Sequence, residues 1–265
     1  VVSDIEVAAA HKAADADKRQ RQEDLTPRGV SRAVLKAMHE FLVSIGYWSA
    51  GLRVIRVLDV CAGFGGWASE FRRLAASLGW EVHITGIELD PTKADHLLKW
   101  CDAVVFGDYV DALRTHHEST FDLVIGNPHF TGLTSDAPQQ SMPAILLRHA
   151  AAVLLFHQEQ SFQKSKSGAA IWHAFPPAAV FCVPGAVRFR EGKNPATGKP
   201  YGTDARCYQA TLWLSGHAGP VAMHMLPWID ASGRRWQAEP GRAQRAPPGT
   251  EEPNEELPAA PGWAP

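Results

Sequence analysis

Phe121-Asp122-Leu123-Val124-Ile125-Gly126-Asn127-Pro128-His129-Phe130 reads as a buried strand running into a polar, rigid loop tipped by an aromatic ring. The apolar run has the length of a strand, and the Asn-Pro pair ends it, because proline has no N–H with which to continue a ladder. A passage of the same form lies upstream, Val57-Leu58-Asp59-Val60-Cys61-Ala62-Gly63-Phe64-Gly65-Gly66, a strand closing in a glycine-rich turn. Around these two, strands and helices alternate. Residues 53–60, 81–88, 103–106, 121–125 and 150–156 read as strands, and 65–78, 91–100, 109–116 and 137–148 as helices. Such alternation predicts a mostly parallel, doubly wound α/β sheet.

Elements outside the alternation complete the outline. At Leu25-Thr26-Pro27 a further helix opens: Thr26 can cap it, Pro27 suits its first turn, and Val30, Val34, Leu35, Met38, Phe41, Leu42 and Ile45 recur at helical spacing. Residues 158–173 read as a polar loop and helix. Strands at 178–183, 186–190 and 206–215 predict an antiparallel hairpin at one sheet edge. Residues 1–24 are expected to form a flexible arm. Residues 230–265, rich in Pro, Gly, Glu, Arg and Ala, lack the apolar material for a core and are expected to be a disordered tail. This leaves 25–229 as one domain.

Composition narrows the function. Apolar residues make up 45% of 265, enough for a full core, and the net charge of −2 excludes a global basic field. Nucleic acid would have to be held by a local patch; Arg188, Arg190, Lys193, Lys199 and Arg206 on one loop are the candidates, with Lys164 and Lys166 nearby. The cysteines, Cys61, Cys101, Cys182 and Cys207, include no Cys-x-x-Cys pair, so reduced thiols in a cytoplasmic protein are expected, and Cys61 reads as a small buried residue. No His/Cys spacing suggests a metal. The N-terminal segment is charged rather than signal-like, and the longest apolar run, 144–156, is too short to span a bilayer.

The glycine turn has the features of a cofactor cradle. Glycines there allow a tight bend and let backbone N–H groups approach a ligand, and the N-terminus of the following helix favours a carboxylate. Strand two ends in Glu88-Leu89-Asp90, where ribose hydroxyls lie in such sheets, and strand three ends in Gly107-Asp108, where a carboxylate can accept from an exocyclic amine. The same acids are also what helix caps need. The turn, Gly-Phe-Gly-Gly, is not the Gly-x-Gly-x-x-Gly of dinucleotide sites, which favours a ligand with a carboxylate and an amine over one with a pyrophosphate.

With both loops in view, the chain resembles the S-adenosylmethionine-dependent methyltransferases that act on amino groups, in particular the small, phage-type enzymes that methylate N6 of adenine in DNA. Those enzymes carry Asp/Asn/Ser-Pro-Pro-Tyr/Phe where this chain has Asn127-Pro128-His129-Phe130, and the order Thr26-Pro27, glycine turn, Glu88, Asp108, Asn127–Phe130 matches over residues 25–215. Pro176-Pro177, Arg188-Phe189 and Gly202-Thr203-Asp204 resemble their final hairpin. The resemblance implies a Rossmann-like, seven-stranded sheet with a C-terminal antiparallel hairpin. It implies a cofactor site of Thr26, Asp59, Cys61, Ala62, Gly63, Phe64, Gly65, Glu88, Asp108 and Asn127, and a catalytic loop of Asn127, Pro128, His129 and Phe130. His129 departs from the pattern, which has a second proline there. The implied partner is DNA, flipped into the site; RNA adenine or guanine, or a degenerate binding subunit, are the alternatives. The cytosine-C5 enzymes also resemble the glycine turn, but need a Pro-Cys nucleophile where this chain has Asn127-Pro128.

Overall fold

The structure is a computed structural model and describes residues 26–48, 54–115, 120–128, 133–158, 165–184, 187 and 207–227. The expected arm at 1–24, the tail at 230–265, His129, Phe130 and the basic residues Arg188, Arg190, Lys193, Lys199 and Arg206 lie outside the described residues. So does the strand expected at 186–190, except for Val187.

Helix α1 (Arg28–Ser44) buries Val30, Ser31, Val34, Leu35, Met38 and Leu42, one stripe at intervals of three and four. Then follow β1 (Val54–Val60), α2 (Gly66–Leu78), β2 (Glu81–Glu88), a 3₁₀ turn and α3 (Ala94–Leu97), β3 (Ala103–Phe106), α4 (Tyr109–Leu113) and β4 (Phe121–Gly126). A second 3₁₀ turn leads into α5 (Met142–Leu146), β5 (Ala150–Gln158), α6 (Lys166–Ala174), β6 (Ala179–Val183), β7 (Tyr208–Leu214) and β8 (Ala222–Met225). They form one sheet of eight strands in the order β3-β2-β1-β4-β5-β7-β6-β8. β1 to β5 are parallel; β7 is antiparallel to both β5 and β6. This is a Rossmann-like sheet with the expected C-terminal antiparallel hairpin.

Alternate residues of β1 enter two cores. Ile55 and Val57 pack with α1, α2 and Leu97 of α3; Leu58 and Val60 pack with Leu113 of α4, Met142 and Leu146 of α5 and Ile171 of α6. Helices on both faces explain why the central strands are nearly all apolar rather than alternating.

The sheet differs from the expected seven strands by β8, which pairs in parallel with β6 at the edge. Its alternating exposure gave too short and too weak a pattern to be read in the sequence. Helices expected at 91–100 and 137–148 are shorter. In the second, Ser141 is extended (φ −67, ψ 153), and Pro143 can neither donate to an earlier carbonyl nor admit one beside its ring, so the segment divides into a 3₁₀ turn and α5. Thr26 does not cap α1: Pro27 occupies the cap position and no side-chain cap bond is made. Ile45, expected on the core stripe, is exposed, because α1 ends before it. Among the described residues no helix is long and apolar enough to cross a membrane.

Candidate active site

The parallel strands all end at one sheet edge, and four of them deliver polar groups there. Asp59, in β1, is fully buried, and its Oδ2 accepts from the Ala68 N–H at 3.0 Å. Asp59 thereby satisfies one of the open donors in the first turn of α2 and pins that helix to the strand. Its Oδ1 is buried without a hydrogen-bond partner among the described residues. Burial pushes the carboxyl well above its usual range, against the pull of the Ala68 N–H and with the added repulsion of Glu88.

The turn after β1 is built on left-handed residues: Cys61 (φ 56), Gly63 (φ 58) and Gly65 (φ 75). Gly65 N–H closes the bend on Ala62 O at 2.8 Å. A side chain built on Gly63 would meet nothing within 4 Å, so the space above that backbone is open; one on Gly65 would press on Trp100 at 3.1 Å. Cys61 is the one non-glycine residue with positive φ among those described. A thiol-bearing residue in that region costs on the order of 1 kcal/mol or more, and such strain gathers at functional sites. It is half-buried, not fully buried as its type suggested.

Glu88 ends β2 and reaches under this turn. Its Oε2 accepts from the Gly63 N–H at 2.7 Å, and its Oε1 from Asp90 N–H at 3.1 Å and Lys93 Nζ at 3.2 Å. Both members of the Glu88–Lys93 pair are nearly buried. Lys93 also lies 5.4 Å from the centre of the Phe64 ring. A carboxylate offers about four acceptor positions; three are engaged here, so about one remains for a ligand hydroxyl. Asp108 follows β3 and is exposed, with Oδ1 accepting from Val110 N–H at 2.8 Å as the cap of α4. Next to it Tyr109 is half-buried, its phenol pushed up to about 12 by burial first and then by Cys61 and Asp108.

Asn127 follows β4. Its Nδ2 donates to Thr26 Oγ1 at 3.0 Å, and its Oδ1 is buried without a partner among the described residues. Thr26 Oγ1 also accepts from the indole Nε1–H of Trp67 at 3.2 Å. Trp67 lies 5.8 Å from Phe156, which stacks on Tyr208 at 5.5 Å with the rings nearly parallel. Pro128 is buried. Gly126, before them, sits against β1: a Cβ there would come within 2.3 Å of Val60 O.

The fold thus joins Asp59, Gly63 and Glu88 into one bonded turn, and Thr26 to Asn127 through 101 residues of chain. The described bond of Asp108 goes to its own helix. Lys93, Trp67 and Tyr109 were not foreseen. Two had a signal: Lys93 stands five residues after Glu88, where a short turn folds it back, and Tyr109 adjoins Asp108. Trp67 had none, since a tryptophan early in a helix usually reads as core. Among the described residues no group of His, Cys, Asp and Glu could hold a metal ion.

Comparison with solved structures places this architecture. The methyltransferase subunit of a type I restriction-modification system from Streptococcus thermophilus superposes with a TM-score of 0.55 at 14% identity, over 77% of this chain and 47% of that one. A protein of Listeria monocytogenes assigned to the class I S-adenosylmethionine-dependent methyltransferases gives 0.50 at 11% identity, over 77% and 66%. The fold is a methyltransferase fold. This chain spans about half the length of the first neighbour and under two thirds of the second, 47% and 66%. No protein-family profile matches the sequence, and no curated protein does.

Proposed function

We propose that this protein transfers a methyl group from S-adenosylmethionine to the exocyclic N6 amine of adenine in DNA. The observation that carries the reading is the buried Asn127 Oδ1, without a partner among the described residues, at the strand edge that also bears the glycine turn. A buried acceptor with nothing to accept costs about 1–3 kcal/mol and persists where a ligand supplies the donor.

The residues present fit the cofactor. Open space above Gly63, the orphaned Asp59 Oδ1 and the remaining acceptor position of Glu88 suit a ligand carrying an ammonium group and ribose hydroxyls. Asp59, Cys61, Ala62, Gly63, Phe64 and Gly65 would line its methionine side, Glu88 would hold the ribose, and Asp108 with Tyr109 would flank the adenine. Bound there, the cofactor supplies an electrophilic methyl on a sulfonium.

Activating the acceptor is then the protein's part. An aromatic amine is a poor nucleophile because its lone pair is delocalised into the ring. Asn127 Oδ1 and the Pro128 carbonyl each accept one of its N–H bonds from outside the ring plane, so the nitrogen becomes tetrahedral and its lone pair localises. With the cofactor bound, that lone pair would take its methyl as the sulfur leaves as a neutral thioether, and one N–H proton would leave to water. No side chain forms a covalent intermediate; orientation and fixed dipoles supply the rate. Phe130 would stack on the base, a contact worth about 1–3 kcal/mol, and His129 would lie between these two groups. Residues 25–229 would form the catalytic unit, with Arg188, Arg190, Lys193, Lys199 and Arg206 as the phosphate-binding patch.

The test is direct. The protein is incubated with methyl-labelled S-adenosylmethionine and, separately, unmethylated genomic DNA and total RNA, and the products are digested to nucleosides for mass spectrometry. N6-methyldeoxyadenosine is expected. A methylated ribonucleoside would move the enzyme to RNA with the same chemistry. Cofactor binding with no label in either pool would refute a nucleic-acid substrate.

A further inference from the structure

The geometry points to Thr26 as a positioning residue that holds the Asn127 amide in the one orientation able to accept from the target amine. The inference rests on the proposed function and departs from the sequence expectation at one point: Thr26 serves the amine side of the site rather than the cofactor.

An asparagine side chain has two faces of opposite sense. Oδ1 accepts and Nδ2 donates. Turned over, Asn127 would point N–H groups at the N–H groups of the substrate, and the drive toward a tetrahedral nitrogen would be lost. Something must fix the orientation, and the only partner of the Asn127 side chain among the described residues is Thr26 Oγ1, at 3.0 Å from Nδ2. That oxygen accepts a second N–H as well, from the indole of Trp67 at 3.2 Å. An indole can only donate, so Trp67 takes one of the two lone pairs of Thr26 Oγ1, and the Asn127 amide N–H takes the other. The hydroxyl is nearly buried, and Trp67 is buried against Phe156. Water is thus kept from replacing either donor. Trp67 belongs to α2, the helix that opens from the glycine turn. The cofactor turn and the amine-binding amide are therefore linked through a single hydroxyl oxygen.

Thr26→Val keeps the shape and removes the acceptor; Thr26→Ser keeps the acceptor and removes the methyl. Three quantities are read on the full chain: dissociation constant for S-adenosylhomocysteine by calorimetry, single-turnover methyl transfer at saturating cofactor, and hydrogen exchange of the Asn127 side-chain amide by NMR, assigned with Asn127→Asp. Thr26→Val is expected to leave cofactor affinity within about twofold, to slow transfer about ten- to a hundred-fold as a misplaced group does, and to speed amide exchange. Thr26→Ser should restore all three, and Trp67→Phe should move the last two in the same direction by less. Weaker cofactor binding with transfer unchanged at saturation would make Thr26 a cofactor ligand and overturn the inference. So would unaltered exchange of the Asn127 amide in Thr26→Val, and that readout needs no substrate. An absence of transfer by the wild-type protein would refute the adenine reading instead, and the exchange measurement would still decide the role of Thr26.

Discussion

Gly126 is where the turn at Asn127 depends most directly on the sheet. It pairs with Val60 across β1 and β4, and an added Cβ would stand 2.3 Å from Val60 O and 2.9 Å from Val60 Cγ1. Ordinary contact begins near 3.4 Å, so the strands must part by about 1 Å, and the obstacle is backbone, which cannot rotate away. Overfilling a packed site costs roughly 1–3 kcal/mol, and stretching one ladder hydrogen bond past its useful range adds about 1 kcal/mol. Gly126→Ala should therefore destabilise by about 2–4 kcal/mol. In a domain of this size each kcal/mol lowers Tm by about 2–4 °C, so a fall of roughly 4–16 °C is expected by differential scanning calorimetry. Gly66→Ala is the control. It makes the same chemical change in the first turn of α2, where a Cβ meets nothing within 4 Å, and should be neutral or slightly stabilising. Because Asn127 is the next residue, any transfer by Gly126→Ala should fall further than its stability does. A Tm for Gly126→Ala equal to that of the wild type would refute the argument from close approach.

Asn127→Ala should lower single-turnover transfer by about 10²–10³-fold, as losing one fixed hydrogen-bonding group at a reacting centre does, with cofactor affinity nearly intact; an unchanged rate would remove Asn127 from the centre. Glu88→Gln takes the carboxylate from the buried Lys93 ammonium and should cost about 3–5 kcal/mol in urea titration. Adding Lys93→Met should recover much of that stability but not cofactor affinity, and a single variant as stable as wild type would show the pair to be solvated. His157, fully buried, is pushed down from 6.5 to about 4 by burial, against the bond to Gln158 O. Between those values the unfolded chain takes up a proton that the folded chain refuses, so stability is lost as pH falls from about 6.5 to about 4. A gap of about 2.5 in pKa is worth about 3 kcal/mol. Denaturation at stepped pH should show that slope in wild type and a flatter one in His157→Gln; equal slopes would mean the imidazole is not the titrating group.

The central architecture was legible because strands buried on both faces leave largely apolar runs, as in Val54–Val60 and Phe121–Gly126, where only Arg56, Asp59 and Asp122 are charged, bounded by glycine, proline and acid. The candidate site stood out at the strand ends, where Asp59, Glu88 and Asn127 are polar residues that no core would choose. What could not be read was partnership across long separations. Nothing local says that Thr26 would bond to Asn127 rather than cap α1, or that Trp67 would donate its N–H to the same Thr26 oxygen. The acids held a second ambiguity. Asp59, Asp90 and Asp108 each accept from a backbone N–H of the helical turn that follows, so the sequence pattern of a cap is the same as that of a ligand-binding acid.

The intercalation of β7 between β5 and β6 orders events during synthesis. β6 is translated first, yet among the described residues it joins the sheet only through β7, and β5 pairs on that side only with β7. A nascent chain that ends before Tyr208 therefore presents the apolar β5, with Val153 to Phe156 buried in the finished molecule, as a bare edge. Such an edge recruits other chains. Truncations that remove residues beyond 227 should leave a soluble sheet, whereas those that remove β7 should yield aggregate, with the boundary falling between Tyr208 and Leu214.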